Sequence, residues 1–130
     1  MPHCECVGKV MSKVFVYGSL RQYGALHDYL NSSDFLGEKK TQKGFTLFSL
    51  GPFPAMVRTG EGVVVGEVYE VNKQVLSILD QVEGHPDFYV RTLIVLEDGE
   101  QVEAYLLPGE PYNCAVVQSG DWMDYLTSRG

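Results

Sequence analysis

VFVYGSLR, residues 14–21, is the stretch that decides the fold, because a run of apolar residues leads directly into a glycine. Residues 14–16 are fit for burial on both sides, which predicts a core strand over residues 13–17. Gly18 allows the backbone to approach a ligand closely, and successive N–H groups in such a turn can bind an anion. The segment therefore predicts either a binding loop at the end of a core strand or an ordinary tight turn.

The length and charge of the chain narrow the class of partner. Its 130 residues suffice for one domain with one core. Ten Lys and Arg against 17 Asp and Glu give a net charge of −7, which disfavours nucleic acid and anionic membranes, since both bind cationic surfaces. No apolar run approaches the ~20 residues that span a bilayer. We therefore expect a small-molecule partner, no nucleic acid, no membrane, and a monomer or weak dimer.

The N-terminal segment MPHCECVGKVMSK carries no apolar run typical of a secretory signal, which favours a cytoplasmic protein. Three cysteines without regular spacing predict free thiols instead of a disulfide framework. His3, Cys4 and Cys6 could form a metal clip, but a fourth ligand at a usual spacing is missing, so no metal is expected. We predict an N-terminal extension over residues 1–12 and one domain over residues 13–130.

Periodicity outlines the first half of the domain. Apolar residues at helical spacing predict a helix over residues 23–31. Short strands are predicted around residues 35–37 and 44–48, and the two prolines within residues 51–54 break the chain. Residues 63–71 are rich in β-branched side chains and form the strongest predicted strand.

The second half begins with a helix that has a signal at each end. Asn72 is a predicted N-cap, the apolar residues that follow recur on one face, and Gly84 is a plausible left-handed C-cap. Residues 88–97 and 101–107 predict a β-hairpin around an Asp-Gly turn. A short helix over residues 122–126 closes the chain. Together the elements predict one β-rich domain with two or three helices.

Glu83 is the candidate catalytic group, because it lies at the border of the buried face where the capped helix ends. The negative end of the helix dipole disfavours a charged carboxylate there, and partial burial raises the pKa further. A carboxyl group with such a pKa can act as a general base near neutral pH. A solvated glutamate at a helix end is the alternative interpretation of the same facts.

Four segments in combination resemble the gamma-glutamylcyclotransferase-like family, particularly its short members that are similar to gamma-glutamylamine cyclotransferase. The segments are VFVYGSLR, GEVYEV at 66–71, LDQVEG at 79–84 and YVR at 89–91. The resemblance covers roughly residues 13–108. It implies an α+β single domain, with a small mixed barrel-like sheet, two or three flanking helices and a cavity at one end.

The same resemblance implies that Tyr17, Gly18, Ser19 and Leu20 bind the substrate and that Glu83 is the catalytic acid and base. The implied reaction, of the acyltransferase or lyase type, cyclises the gamma-glutamyl group of an amine or amino acid derivative to 5-oxoproline and releases the free amine. It requires no metal or cofactor. A non-catalytic protein that binds a small metabolite in the same cavity is the alternative. Retention of Glu83 favours the enzyme, because a carboxylate gives no advantage to a pure binder of anions.

Overall fold

Residues 11–129, the part of the chain that the computed structural model describes, form one eight-stranded sheet flanked by two α-helices and a 3₁₀ helix. The strands are β1 Met11–Val16, β2 Asp34–Lys40, β3 Phe45–Ser49, β4 Pro54–Gly62, β5 Val65–Asn72, β6 Val90–Val95, β7 Gln101–Leu106 and β8 Ala115–Val116. The helices are α1 Lys73–Glu83 and α2 Trp122–Arg129, and the 3₁₀ helix is His27–Leu30.

The sheet is mixed and open. Its strand order is β2-β5-β1-β7-β4-β3-β8, and β6 pairs with β7 outside this path. The pairs β1–β7 and β4–β7 are parallel, whereas the pairs of β1 with β5 and of β6 with β7 are antiparallel. The predicted α+β single-domain class with a mixed sheet is therefore confirmed. Over the described residues the sheet does not close into a barrel.

Strand β7 pairs in parallel with two different strands, β1 and β4, in succession along the same edge. Strand β1 pairs with it as far as Ala104, and β4 pairs with it at Leu106. Where β1 ends, the Tyr17 hydroxyl connects β7 with β4. It donates to the Tyr105 carbonyl of β7 at 2.6 Å and accepts from the Met56 N–H of β4 at 3.1 Å. The chain therefore leaves the sheet at a fixed point directly after β1.

The second half of strand β1, residues 14–16, is buried on both faces, as its apolar sequence predicts. Phe15 belongs to a core cluster that includes Trp122 of α2, and Val14 and Val16 belong to a second cluster that includes Leu79 of α1. All five side chains are at most 3% exposed. The two clusters place one α-helix on each side of the strand that leads into the predicted binding loop.

Both predicted ends of α1 are confirmed. The Asn72 side chain accepts a hydrogen bond from the Val75 N–H at 2.8 Å, which satisfies a donor of the first turn. Gly84 adopts a left-handed conformation with φ +71°, which a residue with a side chain rarely takes. Glu83 therefore occupies the last helical position by local signals alone.

The helix predicted over residues 23–31 is wrong, since a helical turn forms only at His27–Leu30. Arg21 is 5% exposed, and its guanidinium group donates to Glu67 at 3.2 Å and to Asp121 at 2.9 Å. These distant partners hold the chain in successive turns before the 3₁₀ helix. Tertiary ion pairs thus override the local periodicity.

Strand β4 was not predicted, because residues 51–54 contain two prolines that were expected to break the chain. Pro54 instead begins β4, where a proline is tolerated because the first residue of a strand can dispense with an N–H donor. The strand predicted over residues 63–71 begins two residues later, at Val65. The two-residue strand β8 also carried no recognisable sequence signal.

The remaining elements agree with the sequence to within a few residues. Strands β2 and β3 extend the predicted pieces around 35–37 and 44–48, and β6 and β7 form the predicted hairpin. Helix α2 is longer than the predicted 122–126. Met11 and Ser12 of the predicted extension pair with β5 as part of β1, and its residues 1–10 lie outside the described residues.

Replacing the N-cap tests how strongly α1 depends on its first turn. We expect Asn72→Ala to lower the free energy of unfolding by about 1 kcal/mol, because the Val75 N–H loses its acceptor. Asn72→Ser is the matched control, since serine restores a side-chain oxygen at the same position. Urea unfolding of both variants makes the measurement. Equal losses in the two variants would contradict the assigned cap.

Candidate active site

A cavity of about 370 Å³ opens where β1 ends, and the predicted binding loop and the predicted base both line it. Residues 17–20 form one wall, and Glu83 at the end of α1 forms part of another. Pro54, the first residue of β4, also lines the cavity. The structure thus brings together every residue that the sequence named for the site, although their roles remain predictions.

The binding loop is held closely against β4. A Cβ atom on Gly18 would lie 2.7 Å from the Pro54 ring, so a larger residue would push the loop and strand apart. The Arg21 N–H donates to the Gly18 carbonyl at 3.0 Å, and the Leu26 N–H donates to the Ser19 carbonyl at 2.9 Å. The loop is therefore a compact turn in which the carbonyls of Gly18 and Ser19 already accept hydrogen bonds.

Its N–H groups are available. Among the described residues, none accepts a hydrogen bond from the N–H of Gly18, Ser19 or Leu20, or from the Ser19 hydroxyl. Three successive backbone donors beside a cavity suit an anionic group such as a carboxylate or a developing oxyanion. These N–H groups are free because β1 ends at Val16 and the next residues pair with none of the described strands.

A buried ion pair anchors the far end of the loop. Glu67 of β5 accepts from the Arg21 side chain, from the Gln22 N–H at 2.8 Å and from the Tyr69 hydroxyl at 3.0 Å. Arg21 also reaches Asp121, whose carboxylate accepts from two N–H groups in the first turn of α2. The loop is thereby tied to strand β5 and to the beginning of α2. Arg21 and Glu67 belong to two of the sequence motifs, but the sequence did not predict their contact.

Glu83 lies in an environment that favours its protonated form. Burial raises the pKa of its carboxyl group from 4.5 to about 7. Within the described part of the chain, no ion pair or hydrogen bond reaches the carboxylate to offset that burial. A group with this pKa is partly ionised near neutral pH and can both accept and return a proton.

The three tyrosines of the cavity do not compete with Glu83 for that role. Burial raises the pKa of Tyr17, Tyr89 and Tyr105, so all three phenols stay neutral where Glu83 titrates. Their hydroxyls are also engaged: Tyr89 donates to the Pro54 carbonyl at 2.5 Å, and Tyr17 is bonded to the backbone as described above. Glu83 is thus the cavity-lining group that titrates near neutral pH.

Asp80, one turn before Glu83, ties α1 to the sheet. Its carboxylate accepts from the Tyr105 hydroxyl and from the Arg91 guanidinium, both at 2.6 Å. Arg91 in turn contacts Glu103 of β7 at 2.8 Å. These bonds fix the turn that carries Glu83 relative to β6 and β7. Asp80 and Arg91 stood in the quoted motifs without a role, and only the fold brings them together.

The described residues 11–129 contain no group of three or more His, Cys, Asp or Glu side chains placed to hold a metal ion. His3, Cys4 and Cys6 lie outside those residues. Cys114 is a free thiol. No helix in the described ranges combines the length and apolar character that crossing a membrane requires.

Comparisons with known proteins agree on one family. Residues 14–124 match the family described as gamma-glutamyl cyclotransferase, AIG2-like. A Methanocaldococcus jannaschii protein named "Putative gamma-glutamylcyclotransferase" is 41% identical over 120 residues, which cover 88% of this chain and 98% of that protein. The gamma-glutamylcyclotransferase family protein YtfP of Escherichia coli is 33% identical over 113 residues, 86% of this chain and 96% of that protein.

A solved structure supports the same grouping at the level of the fold. The crystal structure of an uncharacterized protein from Pyrococcus horikoshii superposes with a TM-score of 0.77 at 26% identity, over 91% of this chain and 95% of that one. The sequence resemblance is thereby confirmed. The chain belongs to the AIG2-like gamma-glutamyl cyclotransferase family.

Proposed function

We propose that the protein is a gamma-glutamyl cyclotransferase that converts a gamma-glutamyl amine or amino acid to 5-oxoproline and the free amine. One observation carries this proposal. A carboxyl group with a pKa of about 7 shares a cavity with three backbone N–H donors that have no acceptor among the described residues. The family name supports the activity class, and the site chemistry below supports the substrate and product.

The substrate carries both reacting groups. Its α-nitrogen attacks its own γ-carbonyl carbon, a five-membered lactam forms, and the C–N bond to the leaving amine breaks. An intramolecular attack of this kind gains much of its rate when the chain is held folded. The cavity therefore has to bind one molecule in a bent conformation, and it has no second reactant to position.

Proton transfer is the remaining requirement, and Glu83 can meet it. The α-ammonium loses two protons on becoming the lactam nitrogen, and the leaving nitrogen gains two on departing as an ammonium. Glu83 accepts one proton from the α-ammonium before the attack and a second from the attacking nitrogen once the tetrahedral intermediate has formed, and it passes each in turn to the leaving nitrogen. A pKa of about 7 suits both directions of transfer at neutral pH. The reaction balances without water or a cofactor.

The loop serves the anionic parts of the substrate. The N–H groups of Gly18, Ser19 and Leu20, with the Ser19 hydroxyl, can bind the α-carboxylate and stabilise the oxyanion that develops on the γ-carbonyl oxygen. Fixed backbone donors suit this role because they require no reorganisation during the reaction. Glu83 thus acts on the positively charged α-ammonium, and the loop acts on the negatively charged carboxylate and oxyanion of the same substrate.

Replacing the proposed base separates turnover from binding. We expect Glu83→Gln to lower 5-oxoproline release by about 10²–10⁴-fold, since glutamine keeps the shape but accepts no proton. Substrate binding should persist, because the loop donors remain. Asp87→Asn is the matched control: this carboxylate is exposed, lies four residues away and does not line the cavity.

The assay measures 5-oxoproline from a panel of gamma-glutamyl compounds, with affinity measured by calorimetry. Near-wild-type release from Glu83→Gln would place the base elsewhere. Binding without release by the wild-type protein across the panel would instead favour a non-catalytic metabolite-binding protein.

The raised pKa of Glu83 also has a consequence for stability. The folded protein holds this proton up to about pH 7, whereas the unfolded chain releases it near the ordinary value of 4.5. The contribution of Glu83 to the free energy of unfolding is therefore fully present below pH 4.5. It falls by roughly 3 kcal/mol in total as the pH rises through 7. Glu83→Gln removes this loss, so the variant should gain stability relative to wild type between pH 5 and pH 8.

Urea unfolding at the two pH values measures this difference, with Asp87→Asn as the control for a general charge effect. A stability difference between Glu83→Gln and wild type that does not change with pH would show that Glu83 titrates normally. This measurement requires no substrate, so it tests the site independently of the assigned reaction.

A further inference from the structure

Two phenylalanines form the mouth of the cavity. Phe53, in the segment before β4, and Phe88, in the segment between α1 and β6, both line the cavity, yet they are 38% and 44% exposed. Their rings meet edge to face with centroids 6.4 Å apart, and Phe88 packs in the same manner on Tyr89 at 4.7 Å. The outer wall is therefore an aromatic surface that is open to solvent on one side.

The cavity lining carries few charges. Of its residues in the described part of the chain, only Glu83 is ionisable to a charged form near neutral pH, and no Lys, Arg or His lines the wall. Asp87 precedes Phe88 in the chain, but it is exposed and does not contribute to the lining. Among the described lining residues, a carboxylate at this wall would find no cationic side chain, and an ammonium would find only Glu83, which the proposed reaction already engages.

The proposed function fixes which part of the substrate meets the aromatic mouth. The α-carboxylate requires the donors of the loop, and the α-nitrogen requires Glu83. The substituent on the leaving nitrogen is then left with the remaining, largely apolar lining, of which Phe53 and Phe88 are the exposed aromatic part. Apolar groups gain from leaving water in contact with such a surface, roughly in proportion to the area covered.

We propose that the mouth selects gamma-glutamyl compounds whose leaving amine bears an uncharged, apolar group, and that Phe53 and Phe88 determine this specificity. The inference rests on the proposed function. The bond changes are those already given: the α-nitrogen bonds to the γ-carbonyl carbon, the bond to the leaving amine breaks, and two protons pass to that amine. The mouth contributes binding of the amine substituent and takes no part in proton transfer.

Three substrates of similar length test the selectivity. They are the γ-L-glutamyl amides of pentylamine, of 1,4-diaminobutane and of 4-aminobutyrate, which end in a methyl group, an ammonium and a carboxylate. We expect kcat/KM for 5-oxoproline release to be about tenfold or more higher for the pentyl amide than for either charged amide. Equal or higher kcat/KM for a charged amide would overturn the proposed selectivity and leave the cyclotransferase assignment standing. No release from any of the three would overturn both.

Variants of the mouth test the role of the two rings. Phe53→Ala and Phe88→Ala should lower kcat/KM for the pentyl amide about tenfold and change the values for the charged amides by less than about twofold. Leu93→Ala is the matched control, since Leu93 is an exposed apolar residue of β6 that does not line the cavity. An equal loss on all three substrates would indicate a structural effect and overturn the assignment of Phe53 and Phe88.

Discussion

Strands β1 and β4 pair in succession with the same edge of β7, and the rest of the site depends on the point where β1 ends and β4 takes over. Because β1 stops pairing near Ala104, the chain after it has no ladder partner, and the N–H groups of the next residues stay available. The Tyr17 hydroxyl closes the resulting gap by bonding to both neighbouring strands. A buried polar gap left open there would be costly, since unsatisfied backbone groups destabilise a core. The tyrosine of the binding loop is thus a structural member that leaves the donors after it free for a ligand.

Helix α1 is well stabilised, yet it carries the Glu83 carboxylate, whose burial costs free energy. Leu79 packs α1 into the core and Asn72 caps it, so the helix is stable irrespective of its last residue. Asp80 adds bonds to two strands one turn earlier, where its own charge is balanced by Arg91. These contacts offset the burial of Glu83, which has no such partner among the described residues. Asp80 is paired with Arg91, whereas the Glu83 carboxyl group is buried without such a partner among the described residues, and that burial raises its pKa.

Local signals in the sequence were sufficient for α1 and for the position of Glu83. A cap residue, an apolar stripe and a terminal glycine act within one element, so Asn72 and Gly84 could be identified without knowing the fold. The turns after residue 20 depend instead on Arg21 and Asp121, which are 100 residues apart, and periodicity predicted a helix there incorrectly. Strand β4 was missed for a similar reason, because the tolerance for Pro54 depends on its position at the start of a paired strand. The cavity itself required the fold, since its walls come from segments distant in sequence.

The apolar mouth and the titrating carboxylate are physically coupled. The aromatic side chains line the same cavity as Glu83, and burial in this cavity is the cause of the raised pKa of Glu83. A cationic residue in the same wall would attract a charged substrate, but it would also stabilise the Glu83 carboxylate and lower its pKa away from neutrality. The proposed selection of an uncharged leaving group and the proposed general base near pH 7 therefore favour the same apolar lining. In this cavity, the proposed substrate preference and the proposed proton transfer both require side chains around Glu83 that carry no positive charge.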